Sequence, residues 1–156
     1  MTMSMVDRAF RTFLFSLLIV LAACAAAPTQ EMSDARQAVK AAQEAGAVLH
    51  APELLKAAED QLDRAGTELH RHDYRSAKQG AVAAKSNAFD AQEMALAIGA
   101  AAAAVEQASA AGVLSAETNE LLQQSRLAAS NGDVQLAVRL ANEARNMAEQ
   151  DMRLAK

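Results

Sequence analysis

The chain has 156 residues, 52% of them hydrophobic and only 3% aromatic, and a formal net charge of −4. A single cysteine excludes an internal disulfide, and the mildly acidic balance argues against a nucleic-acid-binding protein, which needs a basic face. Alanine dominates the chain, and because its methyl group favours helix but buries little area, we expect long thin helices rather than a thick core with deep ligand pockets.

The first 23 residues have the layout of a secretory signal peptide. Arg8 and Arg11 form a short positive region, and an apolar stretch follows over residues 12–23. This stretch is shorter than the roughly 20 residues that a spanning helix needs, so a retained transmembrane helix is the weaker interpretation. We therefore predict that residues 1–23 are a signal peptide.

The only cysteine lies at the end of the four-residue motif Leu21-Ala22-Ala23-Cys24. This motif resembles the lipobox of bacterial lipoproteins, in which the cysteine thiol receives a diacylglyceryl group before cleavage. The resemblance implies lipidation of Cys24, and two or three acyl chains make attachment to a membrane close to permanent. An unmodified thiol is the alternative. Ala25, where inner-membrane lipoproteins have Asp, favours the periplasmic face of the outer membrane, with the inner membrane as the alternative.

After a short tether over residues 24–30, the pattern predicts an all-α fold of five helices. In the first, which starts near Glu31 or Ser33, small or apolar residues recur at spacings of three and four. They are Met32, Ala35, Val39, Ala42, Gly46 and Leu49. Pro52 suits the first turn of the second helix, predicted over residues 52–70, because its missing N–H needs no partner there.

The third predicted helix, residues 74–110, is the longest and keeps heptad spacing throughout. Its stripe consists of Tyr74, Ala77, Ala81, Ala84, Ala88, Ala91, Ala95, Ile98, Ala102 and Val105. We expect Val82, Phe89 and Leu96 to widen this buried stripe.

Two further helices are predicted over residues 116–130 and 134–154, separated by Asn131-Gly132-Asp133. The Asp133 position, with alanines at 137, 144 and 148, repeats the pattern of Asp73 with alanines at 77, 84 and 88. This similarity suggests an internal repeat, although chance similarity between alanine-rich segments is the alternative. We predict two tandem three-helix units, residues 31–98 and 99–156, that share the long helix. A single elongated antiparallel bundle is the other arrangement, and the seams could also close between chains in a homo-oligomer.

The segment from Ser33 to Leu96 resembles a family of bacterial envelope lipoproteins, domain of unknown function 4398. The resemblance is carried by Ser33-Asp34-Ala35-Arg36, Ala45-Gly46-Ala47, Ala51-Pro52-Glu53-Leu54-Leu55 with Ala58 and Leu62, and Asp73-Tyr74 with Ala77 and Ala81. It implies a helical periplasmic module with no known activity. The family usually has Gly before Asp-Tyr, where this chain has His72. The second copy has Gly132 there but lacks the Tyr.

One cluster of side chains could carry site chemistry. His70, His72 and Asp73 form the only cluster that suggests a metal, but helical ligands for one ion need a spacing of three or four, so we interpret them as polar residues at a helix end. The chain shows no nucleophile–base set and no Gly-rich phosphate loop. We therefore predict no metal, no cofactor and no enzyme activity.

Lys or Arg is absent between Lys85 and Arg126, where five acidic residues occur: Asp90, Glu93, Glu106, Glu117 and Glu120. This stretch is interpreted as a solvated face, with a docking strip for a partner as the alternative.

The sequence predicts a lipid-anchored envelope module with a structural or protein-interaction role, whose partners are the membrane and envelope proteins or peptidoglycan. One alternative is a covalent tether to peptidoglycan through Lys156. That position resembles the small murein lipoproteins, whose usual Tyr-Arg-Lys ending is missing here. A second alternative is a metal- or ligand-binding protein that uses His70 and His72.

Overall fold

The computed structural model describes residues 27–155, and in that range it contains helices and no strands, so the fold is all-α as predicted. Cys24 and Lys156 lie outside the described residues. The helices are α1 (Thr29–Glu44), α2 (Ala47–His50), α3 (Pro52–His70), α4 (Tyr74–Ala110), α5 (Ala116–Ser130) and α6 (Val134–Leu154).

Side-chain caps fix where the last three helices begin. Asp73 accepts a hydrogen bond from the backbone N–H of Ser76 at 3.1 Å, and Asp133 accepts one from Leu136 at 3.0 Å. Ser115 Oγ accepts a hydrogen bond from the backbone N–H of Thr118 at 3.2 Å. Each bond satisfies an N–H group that has no partner within its own helix, so these three side chains define where the helices begin.

The first helix differs from its prediction at both ends. α1 already begins at Thr29, inside the segment 24–30 predicted as a tether, and it ends at Glu44. Gly46 adopts a left-handed conformation with φ of +87°, which breaks the helix, and the chain restarts as α2. The predicted continuation of the seam to Leu49 is therefore wrong, and the Leu49 side chain is 77% exposed.

The 37-residue helix α4 is the axis of the molecule, about 55 Å long, and contacts α1, α2, α3, α5 and α6. Helix α3 runs antiparallel to it, because Gln61 and Ala65 of α3 lie against Asn87 and Gly80 of α4. These contacts are consistent with three-helix units that share α4. The division at residues 98 and 99 stays a prediction, since one core cluster includes residues on both sides of it.

Alanine supplies most of the core. The buried residues of α4 are Ala77, Ala81, Ala84, Ala88, Ala91, Met94, Ala95, Ile98, Ala101, Ala104, Val105 and Ala108. The closest approach of α3 and α4 occurs at Gly80, where an added Cβ atom would lie 3.0 Å from the Cβ of Ala65. Small side chains thus allow the helix axes to approach, and many short contacts replace a few large ones.

Two polar side chains are buried between α5 and α6. Ser125 Oγ donates a hydrogen bond to the backbone carbonyl of Ala137 at 2.7 Å, and Thr118 Oγ1 donates one to Asp151 Oδ2 at 2.9 Å. Both Ser125 and Thr118 are fully buried. Because a buried hydroxyl without a partner is costly, these bonds fix the register of the two helices.

By length and composition, α4 is also the helix among residues 27–155 that could span a membrane. However, 44% of its most apolar window is buried inside the protein. The core helix of a water-soluble protein meets the same criteria, so this finding is weak evidence for membrane insertion.

Candidate interaction surface

The outer face of α4 carries an apolar stripe that the sequence assigned to the core. Val82, Phe89 and Leu96 recur every seven residues and are 52%, 50% and 57% exposed. The expectation that they widen the buried stripe is wrong: α4 turns most of its alanines inward and these three larger side chains outward. We call Val82, Phe89 and Leu96 the α4 stripe.

Small and polar residues complete the same face. Ser86 and Glu93 lie between the members of the α4 stripe, so that spacings of four and three residues alternate, and Ala100 and Ala103 continue the face towards the end of the helix. Alternating spacings of three and four on one face are typical of a coiled-coil seam. Three aligned large apolar side chains on that face form a patch, whereas single exposed leucines are ordinary.

Ion pairs with α1 flank the first half of the α4 stripe. Lys85 Nζ lies 2.9 Å from Asp34 Oδ2, and Lys78 Nζ lies 2.7 Å from Glu31 Oε1. The hydrogen bond from Lys85, followed by one from Gln30, lowers the pKa of the Asp34 carboxyl. These pairs hold α1 beside α4 and keep both carboxylates ionised at neutral pH.

A shallow groove of about 350 Å³ lies between α1 and α4 at this point. Its lining residues are Glu31, Asp34, Val82, Lys85, Ser86 and Phe89. The Lys85 ammonium also lies 5.8 Å from the centre of the Phe89 ring, a distance at which a cation is attracted to an aromatic face. The groove therefore has an apolar floor and a charged rim.

The acidic residues predicted as a solvated face are solvent-accessible. Glu93, Glu106, Glu117 and Glu120 are exposed, and Asp90 is partly buried. Of these, Glu93 lies on the same face as the α4 stripe. Along α4 the charge changes from basic at Arg75, Lys78 and Lys85 to acidic at Asp90, Glu93 and Glu106.

A second surface feature is a groove of about 600 Å³ between the α2–α3 junction and the end of α5. The residues that line it are Leu49, His50, Ala51, Pro52, Glu53, Leu54, Ile98, Arg126, Ala129 and Ser130. The sequence did not predict this groove, because its walls come from three segments far apart in the chain.

His50 forms the inner wall of that groove. Its imidazole packs on Gly99 of α4, where an added Cβ atom would lie 3.5 Å from Nε2. Burial, and to a smaller extent the positive charge of Arg126, lower the pKa of His50. The imidazole is therefore neutral at pH 7, although the sequence showed no partner for it.

The histidines near the α3–α4 turn do not converge on a metal site. His72 Nδ1 lies 3.1 Å from the hydroxyl of Tyr74, and the Asp73 side chain caps α4. Among residues 27–155, no group of three or more His, Cys, Asp or Glu side chains is placed to hold a metal ion.

The turn between α3 and α4 has His72 at the position where the family that the sequence resembles usually has Gly. His72 has φ of +62°, the left-handed conformation that glycine adopts most easily, and Gly132 has φ of +76° at the matching turn between α5 and α6. In both turns the next residue, Asp73 or Asp133, donates its N–H to a carbonyl five residues back, that of Glu68 or Ala128. The two turns thus share one geometry, which closes each helix end in the Schellman manner.

Part of the chain matches a known protein family. A model of the family DUF4398, described as a domain of unknown function, matches residues 30–106. This part of the chain is therefore similar to the DUF4398 family. The match confirms the resemblance proposed for residues 33–96 and covers α2, α3, all but the first residue of α1, and most of α4, including the α4 stripe.

The DUF4398 match ends within α4, so α5 and α6 lie outside it. Comparison with curated proteins and with solved structures gave no match. The family description carries no activity.

Proposed function

We propose that this chain is a lipid-anchored helical module with a protein-interaction role in the bacterial cell envelope. In this proposal, residues 1–23 are removed as a signal peptide, and acyl chains on Cys24 hold the molecule at the periplasmic face of the outer membrane. The helices then present the outer face of α4 to a protein partner.

The observation that carries the interaction role is the α4 stripe. A monomeric protein gains nothing from three aligned apolar side chains that are each half exposed to water, while most alanines of the same helix are buried. Burial of apolar surface against a partner recovers free energy at roughly 25 cal/mol per Å². The stripe therefore supports a docking role for α4.

The position of the helices relative to Cys24 supports the anchoring role. Helix α1 begins at Thr29, and its N-terminal turn is held by the hydrogen bond from the Met32 N–H to the Pro28 carbonyl at 3.0 Å. A lipid on Cys24 would thus be joined to a folded helix through a few residues, which keeps the module close to the membrane surface.

Metabolic labelling with an alkyne fatty acid tests the anchor. The full chain, expressed in bacteria, is expected to incorporate the label and to sediment with membranes. Cys24→Ser removes the acceptor thiol, so the label should be lost. Ser33→Ala, which leaves Cys24 intact, is the matched control and should retain the label. Equal labelling of the Cys24→Ser chain, or recovery of the wild-type chain in the soluble periplasmic fraction, contradicts the proposal.

A further inference from the structure

We propose that the partner of the α4 stripe is a second copy of this chain, bound antiparallel through the outer faces of the two α4 helices. This deepens the proposed interaction role and depends on it only for the use of the α4 face. It is independent of the lipid on Cys24.

The spacing of the stripe specifies a helix as the occupant. Val82, Phe89 and Leu96 lie on one side of a 37-residue helix, with Ser86 between the first two and Ala100 after the last. Such a seam accepts the side chains of another helix into the gaps between its own, and the small residues let the two backbones approach.

Charge selects the second copy and its direction. The basic residues Arg75, Lys78 and Lys85 lie before Phe89, and the acidic residues Asp90, Glu93 and Glu106 lie after it. Antiparallel pairing about Phe89 places Lys85 opposite the partner's Glu93, and Glu93 opposite the partner's Lys85. Parallel pairing sets like charges against each other, which is unfavourable.

The apolar side chains match in the same register. With the two-fold axis at Phe89, this ring meets the partner's Phe89, and Val82 lies opposite the partner's Leu96. The groove between α1 and α4 beside Val82 has a volume of about 350 Å³. It accepts the side chain of the partner's Leu96, so each copy supplies both the side chain that enters and the groove that receives it.

Charges of α1 border this interface and do not oppose it. Asp34 and Glu31 are paired with Lys85 and Lys78 of their own chain, and the Lys85 side chain remains 37% exposed. Lys85 can therefore contact Asp34 and the partner's Glu93 together. The polar Glu93 within the seam limits the apolar contact area, so the dimer is a reversible one.

Disulfide crosslinking tests the register. All variants are made in the full chain with Cys24→Ser, so that the introduced thiol is the only one and lipidation plays no part. Phe89→Cys, at the two-fold axis, is expected to form a covalent dimer under mild oxidation. Val82→Cys alone and Leu96→Cys alone should not, because antiparallel pairing separates identical positions by about 21 Å along the helix. A mixture of the Val82→Cys chain and the Leu96→Cys chain should crosslink, because the proposed register places these two positions opposite each other.

Sedimentation in detergent provides the second measurement. The full Cys24→Ser chain is expected to dimerise, and Phe89→Glu should raise the dimer dissociation constant at least tenfold while circular dichroism stays unchanged. Leu127→Glu is the matched control, because Leu127 is 62% exposed but lies on α5. A monomer at all concentrations without a Phe89→Cys crosslink overturns the proposal. So does efficient crosslinking of Val82→Cys by itself, which indicates parallel pairing. If the chain that retains Cys24 takes up no fatty-acid label but the Phe89→Cys crosslink forms, the lipid anchor is contradicted and the dimer is not.

Discussion

Asp151, in the last turns of α6, accepts a hydrogen bond from Thr118 Oγ1 at 2.9 Å and so closes the first turn of α5. The same Oδ2 atom accepts from the backbone N–H of Ser115 at 3.1 Å, and Ser115 Oγ lies 2.7 Å from Thr118 Oγ1. One carboxylate thus serves the N-terminus of a neighbouring helix, where a negative charge is favoured by the exposed N–H groups. This contact ties the two ends of the α5–α6 hairpin together.

Loss of the Asp151 carboxylate is expected to lower stability in a pH-dependent way. Hydrogen bonds from the Ser115 backbone, and then from the Thr118 side chain, lower the pKa of Asp151 below its ordinary value of 3.8. A depressed pKa contributes stability that is complete above the unfolded value and lost as the pH falls through the folded one. Asp151→Ala should therefore lower Tm by about 3 °C at pH 7 and by less below pH 3.8.

Thermal unfolding followed by circular dichroism measures this difference. Glu149→Ala is the control, since Glu149 makes only an exposed ion pair with Arg145 at 3.6 Å and should change Tm little at any pH. An Asp151→Ala effect that keeps its size at low pH would show that the carboxylate charge does not act in this way.

Substitution of Gly80 tests the close approach of α3 and α4. A side chain at Gly80 meets Ala65 Cβ at 3.0 Å, so Gly80→Val should destabilise the fold by about 2 kcal/mol through overpacking. Gly66 lies in the interior of α3 with no neighbour within 4 Å of an added Cβ atom. Gly66→Val should change the free energy of unfolding by no more than about 0.5 kcal/mol, because valine is a slightly better helix former than glycine. Urea unfolding compares the two variants, and equal effects would refute the close contact.

Replacement of His72 by glycine is expected to stabilise the protein. A non-glycine residue in the left-handed region costs roughly 1–2 kcal/mol, and His72 has φ of +62°. The exposed contact with Tyr74 offsets little of that cost. His72→Gly should raise the free energy of unfolding by about 1 kcal/mol, and Gly132→Ala should lower it by a similar amount. Opposite signs in urea unfolding are the expected result, and a destabilised His72→Gly chain would mean that the His72–Tyr74 contact dominates.

The pKa of His50 is sensitive to the burial and the positive charge in the groove beside α5. Burial is the larger cause of its lowered pKa and Arg126 the smaller, so Arg126→Ala should raise that pKa only part of the way towards the ordinary 6.5. Because the folded pKa is depressed, the contribution of His50 to stability is complete above pH 6.5 and falls as the pH drops below that value. NMR titration of the imidazole measures the shift, with Arg64→Ala as a control on an exposed face of α3. No change in Arg126→Ala would show that the two side chains do not interact.

The sequence predicted helix boundaries well where a residue acts alone on the backbone. Pro52, Asp73, Ser115 and Asp133 mark the starts of α3, α4, α5 and α6, because each effect is confined to one turn. Gly46 shows where such a prediction fails, because a glycine inside a heptad pattern is compatible with a loosened helical turn and with a helix break. Its left-handed φ of +87° decides for the break.

Side-chain burial was harder to predict than helix position. A heptad pattern shows which residues of α4 share a face, but not how many faces other helices cover. Here the helices packed on α4 cover the alanine face and leave Val82, Phe89 and Leu96 outside. The contact of His50 with Gly99 and that of Asp151 with Thr118 depend on how distant helices are placed, which single-residue preferences do not determine.

Intact-mass analysis of the protein recovered from bacterial membranes tests the lipid anchor. We expect a chain that starts at Cys24 and carries the mass of two or three acyl chains, and Cys24→Ser should abolish that species. A chain that starts at Cys24 without added lipid, or one that keeps residues 1–23, would contradict the proposed anchor and with it the envelope role.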